Sequence, residues 1–185
     1  MRALALLAAL AACSGHATVH DAPKPPPKVG TGPSLYELAL PLTSQSGAAI
    51  RLDVDRGHPT LVSMFYGSCT AACPALIDRI GRTLEQAHAS DARVLLVSFD
   101  PARDTPAKLA LLAREHHLDS RWTLAAASPE DARTLAAVLG IKYRVLKDGE
   151  FFHTSVVTAL DANGATLARA EGLGDSPALV DALRP

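Results

Sequence analysis

Thr60-Leu61-Val62-Ser63-Met64-Phe65-Tyr66-Gly67-Ser68-Cys69-Thr70-Ala71-Ala72-Cys73-Pro74 changes character in its middle, and that change decides the fold. Thr60 to Tyr66 form a nearly unbroken apolar run, as expected of a strand covered on both faces. Beyond Pro74, the residues Leu76, Ile77, Ile80 and Leu84 recur at helical spacing, and a proline is tolerated in a first helical turn. A buried strand therefore feeds a helix through a short turn carrying two cysteines, Cys69 and Cys73.

Towards the C-terminus, Arg93 to Phe99 reads as a second apolar strand, Thr105 to His117 as a helix opened by Pro106, and Trp122 to Ala126 as a third strand. Asp104 or Thr105 can cap the helix that begins at Pro106. Ser128-Pro129-Glu130-Asp131 is a helix start with Ser128 as N-cap, and Gly140 stops that helix near Leu139. Phe152 to Leu160 predicts a strand that turns through Asp161-Ala162-Asn163-Gly164 into Ala165 to Ala170, and Ser176-Pro177 opens a last helix to Leu183. Towards the N-terminus, Leu35 to Leu40 alternates as a strand, and Ala48 to Val54 pairs with it after the turn-prone Ser44-Gln45-Ser46-Gly47. The order is hairpin, three βα units, hairpin, helix. It predicts an α/β fold, a mixed sheet flanked by helices with an N-terminal β-hairpin.

A chain of 185 residues fits one compact domain with extensions, since domains typically hold about 100–200 residues. Met1-Arg2 is followed by only Ala and Leu from Ala3 to Ala12, which reads as a secretory signal; a membrane span needs about 20 apolar residues. Leu10-Ala11-Ala12-Cys13 resembles the lipobox of bacterial lipoproteins. The expectation is that residues 1–12 are removed and Cys13 takes a lipid, placing the protein outside the cytoplasm, anchored to a membrane of a bacterial cell envelope. Residues 13–33, with Pro25-Pro26-Pro27, read as a stiff linker, and residues 34–185 as the folded head. The formal net charge of −1 and the lack of clustered Lys and Arg exclude nucleic acid as a partner.

The chemistry starts at the two cysteines. A helix N-terminus favours thiolate over thiol, so both sulfurs are expected to be good ligands and nucleophiles. Thioredoxin-type dithiol enzymes separate their cysteines by two residues, whereas three stand between Cys69 and Cys73. Two soft thiolates suit copper(I) or zinc, with imidazole as the natural third donor. Among the seven histidines, His16 and His20 fall in the linker, His58 in a loop, and His88, His116 and His117 at helix ends. His153 opens a strand in the closing hairpin, where Phe151 and Phe152 predict shelter. Spacing alone leaves it open whether His153 is a ligand or an ordinary strand-end histidine.

Three segments resemble the Sco/SenC family of copper proteins: Cys69-Thr70-Ala71-Ala72-Cys73-Pro74, Asp100-Pro101-Ala102-Arg103-Asp104-Thr105-Pro106, and His153-Thr154-Ser155 leading to Asp161-Ala162-Asn163-Gly164. The resemblance runs from about Tyr36 to the C-terminus. It implies a thioredoxin-like fold, copper held by Cys69, Cys73 and His153, and a role in assembling the copper centre of a respiratory cytochrome oxidase. The implied partner is a copper-accepting oxidase subunit or another copper protein. Thr70 and Ala71 stand where the family usually has proline and often an acidic residue, and Phe152 stands where it has aspartate. Those changes remove negative charge beside the site and keep the three donors. The same cysteine pair also fits a thiol–disulfide oxidoreductase that reduces an acceptor's cysteines and has no need of His153.

Overall fold

A computed structural model describes residues 27–69 and 72–185. Cys13, the signal segment and most of the linker lie outside the described residues. The apolar run at Thr60–Phe65 is strand β3, all six of whose residues are buried. It lies in a seven-stranded sheet with β1 (Pro41–Ser44), β2 (Ala49–Arg51), β4 (Arg93–Ser98), β5 (Trp122–Ala127), β8 (Val156–Leu160) and β9 (Thr166–Glu171), in the order β2-β1-β5-β4-β3-β8-β9. Strands β3, β4 and β5 run parallel, while β1 and β8 flank them antiparallel. The central strands are buried on both faces and therefore read as unbroken apolar runs. At the edge, β9 has only half-buried and exposed positions.

Helix α1 (Ala72–Ala87) buries Leu76, Ile77, Ile80 and Leu84 and packs against α4 (Pro177–Leu183). Helix α2 (Pro106–Glu115) crosses β5 and β1, and α3 (Pro129–Leu139) packs on β5. Thr105, Ser128 and Ser176 are the N-caps, each followed by a proline, and Gly140 ends α3 at a φ of 63°. Hydroxyl acceptors satisfy the leading N–H groups, and glycine adopts the left-handed C-cap without a Cβ clash. The mixed sheet flanked by helices is thus the architecture expected from the sequence.

Two local expectations are corrected. Leu35–Leu38 is a 3-10 helix, not a strand, because the Ser34 hydroxyl accepts the Tyr36 N–H and turns the chain so that Leu35 and Tyr36 are both buried. The hairpin then forms one step later, with Leu42 opposite Ile50. The strand expected over Phe152 to Leu160 is also broken at Thr154-Ser155. Before the break, β7 (Phe151–His153) pairs with β6 (Tyr143–Val145) in a separate two-stranded sheet. Thr154 closes the base of that hairpin, its N–H donating to Lys142 O at 2.9 Å and its Oγ1 accepting the Lys142 N–H at 3.0 Å.

The two ends of β3 have different jobs. Its last residues lead to the cysteine turn, whereas Thr60 at its start lies opposite Leu160 of β8. Beside Leu160, the Asp161 carboxylate accepts N–H groups from Gly30 at 2.8 Å, Asn163 at 2.8 Å and Ala165 at 2.9 Å. Lys28 donates to Asp181 O and the Thr31 N–H to Thr166 O, so the N-terminal segment is fastened at the pole opposite the cysteines.

Candidate metal centre

After β3, Tyr66 is buried and Gly67-Ser68-Cys69 turns, with the Cys69 N–H donating to Tyr66 O at 3.2 Å. Cys73 is the second residue of α1, and its Sγ donates to the same carbonyl at 3.2 Å. His153 ends β7. One donor atom from each of Cys69, Cys73 and His153 lies within 4.8 Å of the others. Among the described residues this is the only such group of three. Cys69 is half-buried and Cys73 is 2% exposed.

The remaining described histidines stand apart from this group. His58 pairs with Asp91 at 3.0 Å. His88 and His117 are exposed, with positive φ just beyond their helices, and His116 is the C-cap of α2. His16 and His20 lie outside the described residues.

Electrostatics divide the donors. Burial pushes the Cys73 thiol up, and Cys69 and Asp104 nearby add to the rise. This corrects the expectation that the helix terminus lowers both thiols: at Cys73 desolvation outweighs the helix dipole. Burial moves His153 the other way, below its ordinary value, so the ring is neutral at pH 7. Its Nδ1 lies 3.3 Å from Thr154 O, and a proton held there leaves the Nε2 lone pair for a metal. Two sulfurs and a neutral imidazole match a soft or borderline metal ion.

An aromatic wall backs the histidine. The ring centroids of Tyr66 and Phe99 are 5.7 and 5.2 Å from that of His153, and Phe151 packs on both at 5.1 Å. Tyr143 stacks on Phe99 at 4.8 Å. Phe151 therefore gives the expected shelter, but Phe152 points the other way: it is 53% exposed, with the Arg144 guanidinium 5.6 Å over its ring. Strand alternation separates the two. Tyr66, Phe99 and Tyr143 were not singled out by sequence reasoning, since each lies just past or at the start of a strand and meets the others only in the fold.

The Asp100–Asp104 segment holds the site together. Thr105 alone is the cap of α2. Asp104 is instead 3% exposed, and its Oδ2 accepts the Gly67 N–H at 2.8 Å and the Ser98 hydroxyl. Burial raises the Asp104 carboxyl although both hydrogen bonds favour its charged form. Arg103 pairs with Asp100 and reaches Gly149 O at 2.8 Å and Glu150 Oε1 at 3.4 Å.

A profile of the SCO1/SenC family matches residues 31–184. No curated protein sequence matches the chain. Several solved structures share its fold. ScoI of Bradyrhizobium japonicum with copper bound is 25% identical, with a TM-score of 0.63 over 84% of this chain and 98% of that one. ScoI of Arabidopsis thaliana with copper bound is 18% identical, with a TM-score of 0.68 over 77% and 91%. A SCO1/SenC family lipoprotein of Bacillus anthracis is 20% identical, with a TM-score of 0.68 over 77% and 89%. With the profile spanning nearly the whole folded body and both cysteines and His153 inside it, the chain belongs to the SCO1/SenC family.

Proposed function

We propose that this protein is a copper metallochaperone that assists assembly of the copper centre of a respiratory cytochrome c oxidase. The observation that carries the reading is the convergence of Cys69, Cys73 and His153 within 4.8 Å. The copper-bound relatives support copper as the cargo. Two thiolates and an imidazole form a three-donor set suited to copper(I), and half-buried Cys69 is where an acceptor's ligand can enter and take the ion by exchange. Cys73 must lose its proton as the metal arrives. The aromatic wall limits water on the histidine side.

The same proposal includes export and a lipid on Cys13, supported by the lipobox-like Leu10-Ala11-Ala12-Cys13 and by the Bacillus anthracis relative being a lipoprotein. No helix of the described residues is long and apolar enough to cross a membrane.

The test is an anaerobic copper(I) titration against a competing chelator, using the reduced full-length chain with Cys13→Ser to remove the third thiol. Loss of an outer-shell partner alone costs metal sites about 10–100-fold in affinity, so His153→Ala should cost at least that. Absence of tight binding by the reduced parent would overturn the reading.

One feature favours a second reading, a thiol–disulfide oxidoreductase. Half-buried Cys69 is placed to attack an acceptor's disulfide, and buried Cys73 to resolve the mixed disulfide. The acceptor leaves as a dithiol with two electrons, and Cys69–Cys73 is left as a disulfide. That activity survives His153→Ala, which separates the two readings.

A further inference from the structure

Cys69 and His153 sit on different parts of the fold. The cysteine turn follows the central strand β3, whereas His153 belongs to the β6–β7 hairpin, a sheet separate from the main one. The approach of imidazole to thiols therefore depends on how the hairpin is held against the body. Two kinds of tie are the packing of Phe151 and Tyr143 on Phe99 and the Tyr66 Oη–H donated to Phe151 O at 3.3 Å. The third is Arg103. Its guanidinium donates to Gly149 O at 2.8 Å and to Glu150 Oε1 at 3.4 Å and lies 5.6 Å over the Phe151 ring. These three contacts fall on consecutive residues leading into His153.

The next residue in sequence grips the other half of the site. Asp104 accepts the N–H of Gly67, two residues before Cys69. The loop between is stiffened by its own bonds: the Arg103 and Asp104 N–H groups both donate to Asp100 O, at 3.1 and 2.9 Å, and the Asp100 side chain pairs with Arg103. Asp100 is in turn tied to β4 through the Ser98 hydroxyl at 2.9 Å. One peptide link, between residues 103 and 104, thus joins the anchor of the thiol turn to the anchor of the histidine hairpin.

We propose that Arg103 is a positioning residue for His153, holding the β6–β7 hairpin at the distance from Cys69 and Cys73 at which all three donors reach one metal ion. Arg103 acts by fixing residues 149–151, through Gly149 O, Glu150 Oε1 and the Phe151 ring. A planar guanidinium suits this task because it meets a carbonyl, a carboxylate and a ring face together, which a lysine ammonium does not. The inference rests on the metal-site reading above and adds the element that keeps the histidine in place.

The test combines a mutant cycle with a measurement that needs no metal. In the reduced full-length Cys13→Ser chain, copper(I) affinity is measured for the parent, Arg103→Gln, His153→Ala and the double variant. Arg103→Gln is expected to weaken binding about tenfold, the scale of an outer-shell contact, in the chain that keeps His153, and less than about twofold where His153 is already alanine. Equal losses in both backgrounds, or no loss, overturn the proposal. In the metal-free protein, amide hydrogen exchange in Arg103→Gln should quicken at residues 143–153 and stay unchanged in β3 and β4; Arg103→Lys should restore only part of the protection. If His153→Ala itself leaves affinity unchanged, the ligand assignment fails, and the exchange measurement alone decides: unchanged protection of the hairpin overturns the clamp.

Discussion

Gly67 and Asp104 form a contact so close that a single methyl group tests it. A Cβ built on Gly67 would lie 2.5 Å from Asp104 Oδ1, well inside van der Waals contact. An exposed carboxylate would swing away at little cost. This one is 3% exposed and held by the Ser98 hydroxyl and the Gly67 N–H, so Gly67→Ala must either break the bond to the carboxylate or force the backbone apart. A hydrogen bond to a charged group contributes about 1.5–3 kcal/mol, and overpacking adds about 1–3 kcal/mol. A net loss near 3 kcal/mol, or roughly 6–12 °C in midpoint for a domain of this size, is expected in thermal or urea unfolding. In an Asp104→Ala background the colliding atom is gone, and the same Gly67→Ala change should cost less than about 1 kcal/mol, a coupling of about 2 kcal/mol. Additive losses in the two backgrounds would refute the claim that this carboxylate braces the cysteine turn.

Two further outcomes follow from the ionisable groups. Because burial holds Cys73 protonated well above the ordinary thiol range, copper(I) loading near neutral pH should release its proton, and affinity should rise about tenfold per pH unit for each proton displaced; titration in weak buffer counts the protons, and a pH-independent affinity would contradict the assignment. At Asp161, burial acts to raise the carboxyl, but the N–H groups of Gly30, Ala165, Asn163 and Gly164 together hold it below its ordinary value. Its folded value is thus lower than its unfolded one, so it adds stability above the ordinary carboxylate range that is lost as pH falls through the folded value. Asp161→Ala should lower the melting midpoint at pH 7, and the gap to the parent should shrink in acid; a gap independent of pH would count against this account.

Much of this was legible in the chain. Thr60–Phe65 announced a two-sided strand, and Ser128-Pro129 with Gly140 bounded a helix at both ends, because local rules on burial and capping act there without tertiary help. What escaped was set by distant partners. Leu35 to Leu40 alternates well enough for a strand, but the Ser34 hydroxyl bends it. Tyr143–Val145 is three residues long, too short for periodicity to register, and gains its partner only through Phe151–His153. Asp104 looked like a helix cap, and only the approach of Gly67, in the turn after β3, makes it a buried brace. At Cys73, the helix terminus was visible in the sequence but the depth of burial that overrules it was not.

The fastening of Gly30 and Thr31 beside Asp161 and Thr166 has a mechanical consequence. A pull on the chain before Lys28 is taken up by the rim where β8 ends and β9 begins. The working end lies beyond the far end of β3, whose six residues span about 20 Å at ~3.3 Å each. If Cys13 carries the proposed lipid, strain from that attachment would be discharged into the opposite pole, and the thiols and imidazole would keep their spacing.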